Sequence, residues 1–445
     1  MRKILLLWIA VTVLTGTAFA QPYRDYTDSV IDHLFEKRSW GELLDQSRSL
    51  LKRGYDSNNL RIKAGVAAFE LKKYHEAVAH LQKAWEVAPG DSLLNYYYYR
   101  ALISSGRDDE ASLLASKMEP GMREAMTARV KGIVNEIRVE GSLARNKDFD
   151  ALTGKALAGE GGIKSYRMVE KSRDNYGISL GHHLFPHVNL NHEFSMLKID
   201  RALQCNSSVI PPASAGEPTT NQYQYFLNAR YCLLKGWSFN ISGTYIWGEG
   251  YEYLPVSYNM LTEKYTLGQT ELEIRDNVVS LGVNKESVWL TTSLSAGFGT
   301  IRGFRQYQGN LSLTFYPLGN NHFFIKPDVT LHRDEEQGEN KVVFHPQVGF
   351  KTDPFWVTGE YGTGKMKNFF SEGGKVVYNV PETVTGYWGV VLTAPMLKNK
   401  LHLSARYRQT AKEAPHFLIE NNVVTNPENF SFTDQLVMFS VEWDF

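Results

Sequence analysis

The sequence predicts an α + β protein in separate domains: N-terminal α-helical repeats, then an antiparallel transmembrane β-barrel of about fourteen strands, with twelve as the alternative. Three observations predict it. Apolar spacing changes from a helical period to strict alternation near residue 130. Small and apolar residues recur at a fixed interval in the first part. The last strand-like segment alternates without a break up to Phe445. The expected division is a signal peptide over 1–20, a helical domain over 21–130 and a barrel over 131–445.

Arg2 and Lys3 give a positive start, and Ile4 to Leu14 form an apolar run too short to span a bilayer. Ala18-Phe19-Ala20 supplies the small residues of a cleavage site, so Gln21 is expected to begin the mature chain. No Cys stands at residue 21, which argues against a lipoprotein anchor. Beyond residue 20 no apolar run approaches the ~18 residues of a spanning helix.

The 48 basic and 48 acidic residues cancel, which gives no pull toward nucleic acid. Mean hydropathy is only −0.32, yet the chain holds 24 Tyr, 23 Phe, 9 Trp and 36 Gly. A porin-like barrel has that bias, because its strands face lipid on one side and a polar lumen on the other. The two cysteines, Cys205 and Cys232, fall at opposite ends of adjacent predicted strands. A disulfide would require the intervening loop to fold down into the lumen.

In the helical part, Gly65, Ala77, Leu81, Ala84 and Pro89 match the small-and-apolar skeleton of a tetratricopeptide repeat. A shift of one repeat, ~34 residues, carries Ala77 onto Ala111 and Tyr74 back onto Trp40. About three units are therefore expected, because one helix pair cannot bury its own face. The run Tyr96 to Tyr99 is read as core packing rather than a ligand platform.

Alternation governs the rest. Val437, Phe439, Val441, Trp443 and Phe445 share one face; Met438, Ser440, Glu442 and Asp444 share the other. This pattern resembles the C-terminal signal by which the barrel-assembly machinery of outer membranes recognises its substrates. Leu401 to Arg408, Phe323 to Leu331, Tyr307 to Phe315 and Trp237 to Trp247 repeat the alternation, and Ile133 to Leu143 opens the barrel. Short connections are expected at Phe185–His187, Lys235-Gly236, Glu286-Ser287, Leu318–Asn321, Asp353-Pro354 and Leu397–Asn399. Long ones are expected at 200–220, 248–274, 334–340, 364–382 and 412–431, with 300–303 a shorter member. Short periplasmic turns and long outer loops are the asymmetry of bacterial barrels.

No GxSxG elbow, HExxH motif or P-loop appears, so no catalytic residue and no cofactor are assigned. His182, His183, His187 and His192 are scattered by alternation between two faces, so no metal site is assigned. Rim residues such as His416 and Ser431 offer a lipid-modifying enzyme only isolated side chains. The lumen offers mixed charge instead. Arg230, Lys326, Asp328, Glu360, Arg406, Arg408 and Glu442 are the candidate lumen-lining residues, joined by Glu193, Arg305, Lys351 and Asp444. Trp289, Trp356 and Trp388 are placed with them. Such charges either pair and stiffen the barrel or line a path for a polar solute.

A repeat module followed by a barrel resembles the YaiO family of outer-membrane β-barrel proteins. Glu140-Gly141-Ser142, Ser404-Ala405-Arg406-Tyr407 and Val441-Glu442-Trp443-Asp444-Phe445 carry the likeness. The order of domains is also similar to that of exopolysaccharide export porins, which have many more repeats. The resemblance implies a protein of the cell outer membrane with its N-terminal domain in the periplasm. It implies outer-membrane lipid, the barrel-assembly machinery and a periplasmic protein as partners, and a polar glycan or polysaccharide as transported material. The alternative is a plugged barrel that anchors periplasmic partners.

Overall fold

A computed structural model describes residues 28–154, 157, 164–212, 218–420 and 423–445. The expected signal peptide lies outside the described residues. Two compact units divide the chain at Val130–Lys131. No helix among the described residues is long and apolar enough to cross a membrane.

The first unit is a stack of three helix pairs. Residues 28–36 (α1) pair with α2 (Trp40–Lys52); α3 (Asn58–Glu70) with α4 (Tyr74–Trp85); α5 (Ser92–Ser104) with α6 (Asp108–Ser116). A short α7 (Pro120–Ala125) follows. The repeat is visible in the backbone: the second helices begin at Trp40, Tyr74 and Asp108. The turns before them hold Arg38, Lys72 and Gly106, each at positive φ. Ser57 and Asp91 cap α3 and α5 by accepting from the Leu60 and Leu94 amides.

Gly65 sets the closeness of α3 and α4. A Cβ there would lie 2.4 Å from Leu81 Cγ, and Leu81 is fully buried with no room to turn away. Gly65→Val should therefore destabilise the repeat unit by about 1–3 kcal/mol of overpacking. Helical melting followed by far-UV circular dichroism checks it, and an unchanged midpoint would contradict the close approach. Of the four tyrosines, Tyr98 is fully buried and Tyr99 nearly so, whereas Tyr96 is exposed and Tyr97 donates to Glu70. Core packing thus accounts for half of the run.

Glu76 on α4 is a buried anion. Burial would raise its carboxyl, but hydrogen bonds from His80 and Arg48 outweigh that and hold it at about 2. Arg48 donates through Nε at 2.8 Å and Nη2 at 2.6 Å. A depressed carboxyl stabilises the fold above its unfolded value and loses that stabilisation as the pH falls through about 2. Arg48 is 38% exposed, so solvent screening limits the pair to about 0.5–1 kcal/mol. Arg48→Met should lower the midpoint at neutral pH, and its difference from the parent should shrink between pH 4.5 and 2. A difference that grew with acid would refute the assignment.

The second unit is a closed barrel of fourteen antiparallel strands. They are β1 (Val134–Asn146), β2 (Lys164–Phe185), β3 (Val188–Cys205), β4 (Thr219–Leu233), β5 (Trp237–Asn259), β6 (Lys264–Glu286), β7 (Leu290–Ile301) and β8 (Phe304–Phe315). Then come β9 (Phe323–Lys326 and Asp328–Asp334), β10 (Asn340–Phe344 and Gln347–Thr352), β11 (Phe355–Met366), β12 (Thr383–Met396), β13 (Leu401–Glu420) and β14 (Val423–Asp444). β14 returns to β1, with Val139 opposite Val441 and Glu136 opposite Asp444, so no edge is left. Pro327, which has no N–H to give the ladder, interrupts β9. A short helix α8 (Phe149–Thr153) follows β1.

Outward side chains form an apolar band. Val437, Phe439, Val441, Trp443 and Phe445 are all exposed, as are Ile178, Phe239, Ile241, Leu294, Leu311 and Leu392. In water such a surface would aggregate; it is the surface that bilayer-spanning strands present to lipid. All six expected short turns occur between strands. Two expected long loops do not. β5 and β6 run as a hairpin through 248–274, and β13 and β14 run as one through most of 412–431. Tyr253, Tyr265 and Leu267 of the first hairpin and Ile419 of the second are buried together with Tyr166 and Val209, a local packing that the alternation of bilayer-spanning strands does not encode.

Candidate functional site: the barrel lumen

The residues from Asn368 to Glu382 join β11 to β12, and they do not stay outside. They fold into the lumen as a small hairpin, Phe369–Ser371 paired with Val376–Tyr378 around Gly373 and Gly374. Both glycines have positive φ, and a Cβ on Gly374 would lie 2.9 Å from Thr244 Oγ1. The turn therefore needs glycine twice, for its backbone and for its approach to the wall.

The hairpin is tied to the wall on several sides. Ser242 Oγ donates to the Gly373 carbonyl at 2.6 Å and Thr244 Oγ1 to the Gly374 carbonyl at 2.7 Å. Gln224 donates to the Lys375 carbonyl at 2.6 Å. Gln308 grips the Phe370 backbone twice, donating to its carbonyl and accepting from its amide. Lys375 Nζ lies 2.7 Å from Glu193. At the root of the loop, Asn379 donates to Gln222 and Asp276, and Arg201 donates to both oxygens of Glu382. Phe369 and Phe370 are buried against Val343, Met366, Val278 and Ile301.

Two cavities border the hairpin, of about 510 Å³ and about 660 Å³. The smaller has an ionic wall. Arg138 donates to Glu442 from β1 to β14. Arg408 donates to Glu360 at 2.9 Å, with Arg406 3.6 Å from the same oxygen. Lys412 sits between Glu170 and Asp434, and Arg173 joins Glu170 at 2.9 Å. Apart from Arg173 and Glu170, which share β2, these charges are paired across strands, as burial of charge demands. The larger cavity is lined by amides and hydroxyls from β4 to β10 together with seven charged side chains of both signs, Lys326, Asp328, Glu360, Glu372, Lys375, Arg406 and Arg408.

The structure brings most of the expected lumen residues together. Lys326, Asp328, Glu360, Arg406, Arg408, Glu442 and Glu193 line the cavities. Arg230 shares the inward phase of Asn228 and stands opposite Asn240. Lys351 and Trp356 meet at the short-turn end. Arg305 is a correction: it shares the phase of outward Tyr307 and is exposed near the loop end of β8. Trp388 is another, exposed beside Tyr407 on the outer face because Tyr387 takes the inward position. Trp289 lies exposed in the turn between β6 and β7. Sequence reasoning missed Arg173, Arg201, Lys375, Glu382, Lys412 and Asp434. A signal was present: Phe369-Phe370 and Val376-Val377-Tyr378 are too apolar for a loop meant for water.

The histidines divide as alternation requires. His182 and His192 pack edge to face, and His183 is buried beside Asn135. His402, Glu442 and Asp444 bring one ligand atom each within 4.8 Å of one another at the short-turn end, with His402 Nε2 3.2 Å from Asp444 and Arg138 donating to Glu442. His416 and Ser431 stand three rungs apart along the β13–β14 ladder, about 10 Å at strand spacing, so they form no nucleophile–base pair. Cys205 and Cys232 form no disulfide.

The tetratricopeptide repeat family model matches residues 68–124. No curated protein matches the chain. Among solved structures, the chain is similar to a Pseudomonas aeruginosa FadL homologue, at 7% identity and a TM-score of 0.46 over 70% of this chain and 90% of that one. It is similar to the P. putida toluene transporter TodX, at 7% identity and 0.43 over 70% and 90%. A bacterial polysaccharide outer membrane secretin gives 9% and 0.36 over 70% and 99%. These are likenesses of barrel architecture alone.

Proposed function

We propose that this chain is an outer-membrane conduit for polar solutes of the glycan class, with its helical repeats in the periplasm recruiting a protein partner. The inward hairpin with a polar cavity on either side carries the reading. A barrel built only as an anchor needs no neutral hydrogen-bonding wall, whereas a path for sugars does. The resemblance to YaiO-family proteins and the domain order shared with exopolysaccharide porins support the same reading. The outward aromatic face of β14 serves as the expected signal to the barrel-assembly machinery, and the apolar band meets outer-membrane lipid.

A second reading has one observation in its favour. Arg201 and Glu382 are both buried and lock the loop at its root, as a permanently plugged envelope anchor would require. Liposome swelling separates the two. Vesicles carrying the full chain should admit small neutral sugars and exclude large dextrans. In planar bilayers, Arg406→Gln combined with Arg408→Gln should shift the reversal potential toward cation preference, because two cations leave the wall that both cavities share. Vesicles that admit no solute would favour the anchor.

A further inference from the structure

The two halves of the lumen differ in kind. The wall of the larger cavity carries Asn228 on β4, Asn240 on β5, Ser293 and Ser295 on β7, and Gln347 on β10. Among the described residues these five side chains make no hydrogen bond to the protein, although other polar groups around them do. Asn310, by contrast, is committed to Asp328 and Thr330. Amides and hydroxyls left open on one surface are donors and acceptors awaiting a partner with many hydroxyls.

The charges of the same cavity are already spent on one another. Arg408 is held by Glu360 and Lys375 by Glu193. Lys326, Arg406, Asp328 and Glu372 remain, two of each sign. An acidic or basic ligand would find no net counter-charge and would lose its hydration there. Phe226 on β4 and Tyr378 on the hairpin add apolar ring surface suited to the C–H faces of a sugar.

We infer that this cavity, between the β4–β10 wall and the inward hairpin, is a binding site for an uncharged oligosaccharide. The inference deepens the conduit reading and rests on it for the class of ligand. The charge-balanced wall, with open amides and hydroxyls, selects against acidic and amino sugars, and the hairpin forms one side of the site.

Titration calorimetry on the purified full chain tests it, with cellotriose and triacetylchitotriose as neutral probes, trigalacturonate as the acid and the deacetylated chitosan trimer as the base. A neutral probe should bind about tenfold more tightly than either charged one. Asn228→Leu with Asn240→Leu should weaken it about tenfold, the loss of two hydrogen bonds. Gln347→Met is a second variant should the first fail to insert, and it should weaken binding in the same direction. Equal or tighter binding of a charged trimer, no effect of correctly inserted variants, or no saturable binding of any probe would overturn the assignment. Ion current through the same preparation keeps the two readings apart. Current without neutral-sugar binding refutes the site and leaves the conduit, whereas binding without current refutes the conduit and leaves the site.

Discussion

Excising the hairpin should raise single-channel conductance several-fold. The expected variant replaces 368–379 by a short glycine–serine link and keeps Glu382, so that Arg201 retains its partner. The reasoning is geometric. The hairpin stands between the two cavities and borders both, through Glu372, Lys375 and Tyr378. Removing it joins them into one wide passage whose walls are already polar. Insertion of the barrel should survive, since β11 and β12 pair from Trp356–Thr393 to Thr363–Gly386 without help from the loop. Heat-modifiable gel migration reports that insertion. Conductance equal to the parent in a correctly inserted variant would mean that the narrowest level lies elsewhere. A milder change, Lys375→Met, strands the buried Glu193 and should loosen the hairpin without removing it.

Phe439→Arg should cost about 2–4 kcal/mol of barrel stability, as a cation placed toward lipid. Phe439 is 63% exposed on the outer face, and its ladder neighbours, Gly141 and Ala405, are too small to shelter a guanidinium. The neighbouring change Ser440→Arg points into the lumen, where the side chain meets water and Glu442 nearby; it should cost far less. Urea unfolding of both variants in lipid vesicles makes the comparison. Equal costs at the two positions would mean that β14 does not face lipid with its odd-numbered side chains.

How much of this was legible in the sequence depended on whether the cause was local. The repeat was, because Gly65 and Leu81 meet within one helix pair and the spacing recurs through Trp40, Tyr74 and Asp108. The phase of β14 was, because every odd position from Val437 to Phe445 is apolar. The six short turns were, because Pro, Gly and polar residues interrupt the alternation there. Trp388 was misplaced because it was set with the lumen charges, although the preceding residue, Tyr387, already held the inward position.

The inward hairpin was not legible as such. Its partners are remote along the chain: Gln308 lies 62 residues from Phe370, and Gln224 lies 151 from Lys375. No periodic pattern encodes contacts of that kind. The buried ion network has the same origin. Arg201 meets Glu382 and Lys412 meets Glu170 only after the sheet has closed on itself. The apolar pair and triplet of the loop were the one local trace, since residues destined for water have no reason to be Phe, Phe, Val, Val and Tyr.

The central claim is that the lumen is a constricted path and not a sealed plug. Single-channel recording of the refolded full chain in a planar bilayer tests it most directly. The account predicts small, steady, ohmic currents that persist at low voltage and fall when a neutral trisaccharide is added. Bilayers that stay silent, with gel migration and proteolysis both reporting inserted barrels, would contradict it.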